Sequence, residues 1–139
     1  MDSVTTRMSL GVLRIVTGLM FWQHGAQKLF GWLGGFGQNG TVGSWLSWPF
    51  GFAGMLEFFG GILILLGVKT RYVAFILCGE MAVTYWWRHF PGGFWPIQNG
   101  GERAVLFCFI FLFLWAAGPG AWSVDGLLAK APGSGAEDA

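Results

Sequence analysis

The sequence predicts an all-α fold, an integral membrane four-helix bundle with polar groups held inside it. Three observations predict it: a composition poor in charge, four apolar stretches of membrane-crossing length, and glycines and charges that share helix faces. Of 139 residues, 54% are hydrophobic and 11% charged, where a soluble domain carries about 25% charged residues. The length suits one domain. The net charge of +1 provides no basic field for nucleic acid, which is excluded as a partner. The expected partner is the lipid bilayer. The 24 glycines would weaken helices in water but let helix backbones approach closely in lipid.

The apolar stretches lie near 7–30, 49–68, 71–90 and 102–118. Each holds about 17–25 residues, enough to cross the hydrocarbon as a helix, the form that satisfies its own backbone there. The first contains Arg14 and lacks an Ala-x-Ala-like exit, so it is expected to remain as a helix and not to be cleaved. Its connector, 31–48, is rich in Gly and Trp. Residues 69–70 make a tight turn carrying Lys69, and PGGFWPIQNGG at 91–101 is a loop. Residues 127–139 read as a polar C-terminal tail, with no fixed structure expected from Ala131 onward.

Four spans put both termini on one side, here side A, with the 69–71 turn; the two longer loops lie on side B. Side A collects Arg7, Arg14, Lys69, Arg71 and Lys130, and side B Lys28, Arg88 and Arg103. The positive-inside rule then makes side A, with both termini, cytoplasmic. Trp22, Trp32, Trp45, Trp48, Trp86, Trp87 and Trp95 fall toward side B, against Trp115 and Trp122 toward side A. That excess predicts side B loops folded onto the membrane surface.

In the first helix Gly11, Gly18 and Gly25 recur every seven residues, and Arg14, Phe21 and Lys28 repeat three residues out of phase. At about 100° per residue both sets share one sector. A face both glycine-rich and charged should point inward, leaving Leu10, Leu13 and Leu19 for lipid. In the second helix Ala53, Gly60 and Gly67 share a sector with Glu57, Gly61 and Ile64; in the third, Glu80 lies near the middle.

Charges inside hydrocarbon cost at least about 2.5–3.5 kcal/mol each on insertion scales, so they should pair. By depth, Arg14–Glu80 is the first-choice ion pair, with Glu57 joining it or carrying a proton. Glu57 and Glu80 are candidates for a proton relay; a salt bridge that only sets helix register is the bland alternative. Toward side B, Gln23, His24, Gln27 and Lys28 end the first helix, Arg88 and His89 end the third, and Gln98, Glu102 and Arg103 precede or open the fourth. Donors among aromatic walls suit a small molecule such as a quinone head group, although hydrogen-bonded interfacial residues are the commoner use.

Cys78 and Cys108 read as small core residues. The predicted spans place them about 10 Å apart in depth at 1.5 Å per residue, which argues against a disulfide. GFGQNG at 35–40 matches Gly-x-Gly-x-x-Gly but lacks the strand–turn–helix setting of a nucleotide site. No zinc-type ligand spacing occurs.

HGAQKLFG at 24–31, EFFGGILILLG at 57–67 and GGERAVLFCFIFLFLWAAGPGAWSVDG at 100–126 resemble the DoxX family of bacterial membrane proteins, as do Arg14 and the Gly79-Glu80 pair. The resemblance spans about residues 7–126. It implies four transmembrane helices in a bacterial inner membrane and a link to redox chemistry. The family takes its name from a subunit of an archaeal thiosulfate:quinone oxidoreductase, and other members are associated with oxidative-stress complexes. Carried over by motif, the site residues are Arg14, His24, Gln27, Lys28, Glu57, Glu80, Glu102 and Arg103; His89 joins them by position. The expected function is a quinone-interacting subunit of an oxidoreductase, with a redox partner or a second copy of the chain as partners. The alternatives are a non-catalytic membrane scaffold or assembly protein and a small-solute or proton carrier.

Overall fold

The computed structural model describes residues 3–130, which are helical with no strand among them. The tail from 131 to 139 lies outside the described residues. Helix α1 runs Val4–Phe30; the Ser3 side chain accepts the Thr6 N–H at its start, and Gly31, in the left-handed region, ends it. After the 31–49 connector comes α2, Phe50–Leu66. It stops at Gly67, whose φ of 72° suits glycine. There the N–H groups of Gly67 and Val68 bond to Ile64 and Leu63 carbonyls. Helix α3, Thr70–Thr84, continues without a break into a π-helical turn, Tyr85–His89. A short α4, Pro96–Asn99, precedes α5, Glu102–Ala117. Helix α6, Val124–Ala129, takes in residues 127–129, which the sequence reading placed in the tail. Of the described helices, α1 alone is both long and apolar enough to cross a membrane by length and composition.

The packing follows the small residues. A Cβ on Gly18 would lie 2.5 Å from the Leu65 nitrogen, and one on Gly61 2.7 Å from the Trp22 backbone; Gly25 meets Phe58 still more closely. The α1 and α2 backbones therefore touch, antiparallel. Helices α3 and α5 also run antiparallel, with Arg71 beside Trp115 and Tyr85 beside Gly101. Helix α2 meets α3 where Gly60 faces Leu77. Helix α5 meets α1 through Phe21, edge-on to Phe107 (5.1 Å) and Phe111 (4.9 Å). Among the described helices, α1 and α3 stand diagonally opposite in this cycle.

The α1 seam faces inward as expected: Gly11, Arg14, Gly18, Phe21 and Gly25 are buried. Leu10 corrects the reading, since it is buried in the core while Leu19 is exposed. The outside is apolar along the length of the helices; Val12, Val16, Phe59, Phe75, Ile76, Leu106 and Phe109 are exposed. The side B tryptophans pack back onto the helices: Trp32 stacks on Phe30 (4.7 Å), and Trp48 lies 5.9 Å from Trp87.

Two expectations fail. Cys78 and Cys108 are not separated in depth: their sulfurs are 3.7 Å apart, both as free thiols. The α3–α5 register that sets Arg71 beside Trp115 also sets residue 78 beside 108, whereas the depth estimate assumed flush helix ends. The Arg14–Glu80 ion pair does not form either. Arg14, with no exposed surface, donates from Nη1 to the carbonyls of Pro119 (2.6 Å) and Ala121 (3.1 Å), and from Nη2 to that of Trp122 (2.8 Å). The chain leaving α5 presents these carbonyls without helical partners. They lie against α1, while Glu80 belongs to the helix diagonal to it.

The same end of the molecule is tied twice more. Asp125 accepts from the backbone N–H of Lys69 (2.7 Å) and Thr70 (2.9 Å), capping α3 from a distant part of the chain. Arg71 donates to the carbonyls of Trp115 (3.0 Å) and Ala116 (2.7 Å) at the end of α5.

Candidate functional site

Toward side B the helices enclose a cavity of about 870 Å³. The end of α1 supplies His24, Gln27 and Lys28; α2 supplies Glu57; α3 supplies Glu80; and α5 supplies Arg103. His89 enters from the π-helical turn, together with Trp87 and Arg88. A π turn inserts one extra residue per turn and often marks functional sites; here three of its five residues line the cavity. Phe21, Phe36, Phe50, Trp48 and Phe107 complete the walls. Glu57 and Glu80, the proposed relay pair, and most of the charged residues of the interfacial cluster thus line one cavity.

Lys28 and Glu57 form its ionic core, with Nζ 3.1 Å from Oε1 and 2.8 Å from Oε2. The pairing follows from the α1–α2 contact, because a Cβ on Gly54 would lie 3.1 Å from Lys28 Cβ. Without a side chain at 54, Lys28 lies against α2 and reaches one turn along to Glu57. Its ammonium also sits 5.2 Å from the Phe36 ring, and the Arg88 guanidinium 5.0 Å from the Phe50 ring.

Glu80 differs from every other charge here. Both its carboxyl oxygens are shielded from solvent, and neither has a hydrogen-bond partner among the described residues. It lies within electrostatic reach of Glu57 and Lys28. A buried polar group left unmatched costs about 1–3 kcal/mol, so this carboxyl is available to a guest. His24 packs edge-on to Phe107 with ring centroids 6.0 Å apart. Gln27 is partly committed, donating to the Leu33 carbonyl at 2.9 Å.

Two sequence-predicted residues lie elsewhere. Arg14 belongs to the side A contacts. Glu102 is exposed in the first turn of α5 and does not line the cavity; an acidic residue there complements the helix N-terminus. Asn99 and Tyr85, which the sequence reading did not single out, hold the roof. Asn99 Nδ2 donates to the Gly93 carbonyl (2.8 Å) and to the Tyr85 hydroxyl (3.2 Å), and its Oδ1 accepts the Gly101 N–H (2.8 Å). Its carbonyl lies 3.3 Å from His89 Nδ1. An Asn-Gly-Gly run closing a Pro/Gly loop was the available signal, since Asn ties turns to their own backbone.

The DoxX family model matches residues 9–90, more than half of the chain. An uncharacterised protein of Haemophilus influenzae is 42% identical over 120 residues, covering 84% of this chain and 87% of its own length. An uncharacterised membrane protein of Mycobacterium tuberculosis is 30% identical over 130 residues, covering 85% of this chain and 80% of its own length. No solved structure matches this chain.

Proposed function

This chain is a membrane protein of the DoxX family, and from that premise we propose that it is a quinone-interacting subunit of an inner-membrane oxidoreductase complex. In this reading α1, α2, α3 with its π turn, and α5 cross the bilayer as a four-helix bundle, with both termini cytoplasmic. The exposed apolar residues along all four helices, set against a buried Arg14 and Glu57, support that placement: charge is inside and hydrocarbon outside, the arrangement lipid favours.

One observation carries the reading. The aromatic-walled cavity holds donors at Lys28, His24 and Arg103, and a buried carboxyl at Glu80 that nothing among the described residues satisfies. A flat ring with polar atoms at two ends matches that lining. A bound quinone supplies two-electron, two-proton chemistry. Lys28 and His24 offer N–H groups at the cavity wall, while the aromatic side chains exclude water. Glu80 and the Lys28-paired Glu57 hold and pass protons. Electrons come from a partner protein docked on one face, and the link to sulfur or oxidative-stress chemistry belongs to that partner.

Purification from native membranes in mild detergent, followed by quinone extraction and redox difference spectra, tests this. Copurifying quinone, reduced on addition of the partner and its substrate, is the expected result. Protein that retains no quinone and shows no quinone-dependent activity with any copurifying partner would overturn it.

A second reading, a non-catalytic scaffold, draws on the side A contacts, where Arg14, Arg71 and Asp125 all serve to join helix ends. Glu80→Gln separates the two readings: intact insertion with lost quinone binding counts against the scaffold, and unchanged quinone content and complex activity count for it.

A further inference from the structure

Helices α2 and α3 pack less closely than the α1–α2 and α3–α5 pairs. A turn at 67–69 joins them and Gly60 meets Leu77, while toward side B residues of both helices line the cavity. In the gap, Leu56 on α2 and Ile76 and Val83 on α3 all line the cavity and are all exposed, at 39%, 54% and 56%. Between them sits Gly79, also on the cavity wall, and a Cβ placed there would meet nothing within 4 Å. Glycines in the tight seams behave oppositely. Ile76 to Val83 covers about 9–20 Å along the axis from Thr70 at 1.5 Å per residue, the middle of a bilayer's roughly 30 Å hydrocarbon layer.

We propose that the cavity is loaded sideways through this α2–α3 cleft, and that its occupant is a tailed amphiphile. The polar head lies among Lys28, Glu57 and Glu80, and the apolar tail runs out past Gly79 into the lipid. A water-soluble ligand has no use for an opening lined by Leu, Ile and Val at mid-membrane depth. A lipid-dissolved ligand entering only from side B would have to leave the hydrocarbon and pass Arg88 and Arg103. The inference rests on the membrane placement proposed above, not on the head being a quinone; an isoprenoid quinone and a glycerophospholipid share the required chemistry.

Gly79 provides the test, because a Cβ there meets nothing within 4 Å and a large side chain would extend into the opening. Wild type and Gly79→Phe, both in nanodiscs, are compared for binding of a long-tailed isoprenoid quinone and of the tailless benzoquinone with the same ring substituents. Native lipid extracts are read by mass spectrometry. Gly79→Phe is expected to weaken the long-tailed quinone at least about tenfold, or roughly 1.4 kcal/mol, and to leave the tailless one within about twofold. If both are unchanged, or both are lost from a protein of normal thermal stability, the cleft is not a tail path. Retention of a glycerophospholipid that Gly79→Phe releases, with no quinone bound, upholds the cleft and overturns the quinone reading. A wild type that holds no amphiphile overturns both. Ile76→Trp narrows the same opening from an exposed position and serves if Gly79→Phe fails to fold.

Discussion

The two ends of this molecule use their charged side chains in opposite ways. At side A, Arg14, Arg71 and Asp125 each terminate on backbone: five carbonyl contacts for the arginines and two N–H groups for the aspartate. Each contact closes a helix end that would otherwise leave orphan groups. At side B, Lys28 and Glu57 meet side chain to side chain, and the Glu80 carboxyl has no hydrogen-bond partner among the described residues. The first arrangement spends its bonds on backbone, with Nε alone of the Arg14 guanidinium nitrogens left over; the second leaves a whole carboxyl over and surrounds space. A buried charge therefore points to a site when unfilled capacity faces a cavity, and residue type alone does not distinguish the cases.

The contrast breaks down or sharpens under mutation. The largest effect is expected at Arg14→Ala. Three charge-assisted bonds are lost and their carbonyls stranded, so the cost should reach about 3 kcal/mol or more. A large fall in unfolding temperature in detergent, with new protease cleavage around 118–126, is the expected signature, and near-wild-type stability would show that the side A contacts are dispensable. Lys28→Met comes next. It leaves Glu57 as an uncompensated buried charge at about 3 kcal/mol, whereas the double change Lys28→Met with Glu57→Leu should recover most of that loss. Denaturant unfolding checks the recovery, and ligand binding should remain absent in the double variant. If the double variant is as unstable as the single, the pair is not the unit of stability described here.

Asp125→Ala removes the cap on α3 and should cost about 1 kcal/mol, seen as faster amide exchange at Lys69 and Thr70 with the cavity unaffected. The smallest stability change belongs to Glu80→Gln, within about 1 kcal/mol, because no protein hydrogen bond is lost; its effect should appear in ligand binding instead. Strong destabilisation by Glu80→Gln would mean that the carboxyl has a structural partner after all.

The helix positions and the inward α1 face were legible in the sequence because they depend on periodicity. Gly11, Gly18 and Gly25 with Arg14, Phe21 and Lys28 mark a seam that any straight helix must present on one side. Seven of the nine predicted site residues line one cavity. Partner choice was not legible. Arg14 was matched by depth to a carboxylate, but its acceptors are carbonyls exposed by the end of another helix, which carry no residue-type signature. Lys28 reaches Glu57 because Gly54 lets it lie close, a lateral displacement that depth cannot express. The π turn that brings His89 inward has no periodic mark in YWWRH.

Arg14 lies 105 to 108 positions before the carbonyls that receive it. Synthesis therefore delivers the cation in the first helix and its acceptors only after the fourth long helix is complete. Until Pro119 has emerged, a growing chain carries an unmet guanidinium, and until Asp125 has emerged, the start of α3 is uncapped. Chains cut short before residue 119 should therefore be sensed as unfinished and degraded, even with all four long helices made, because the first hydrophobic segment and the last short stretch complete each other.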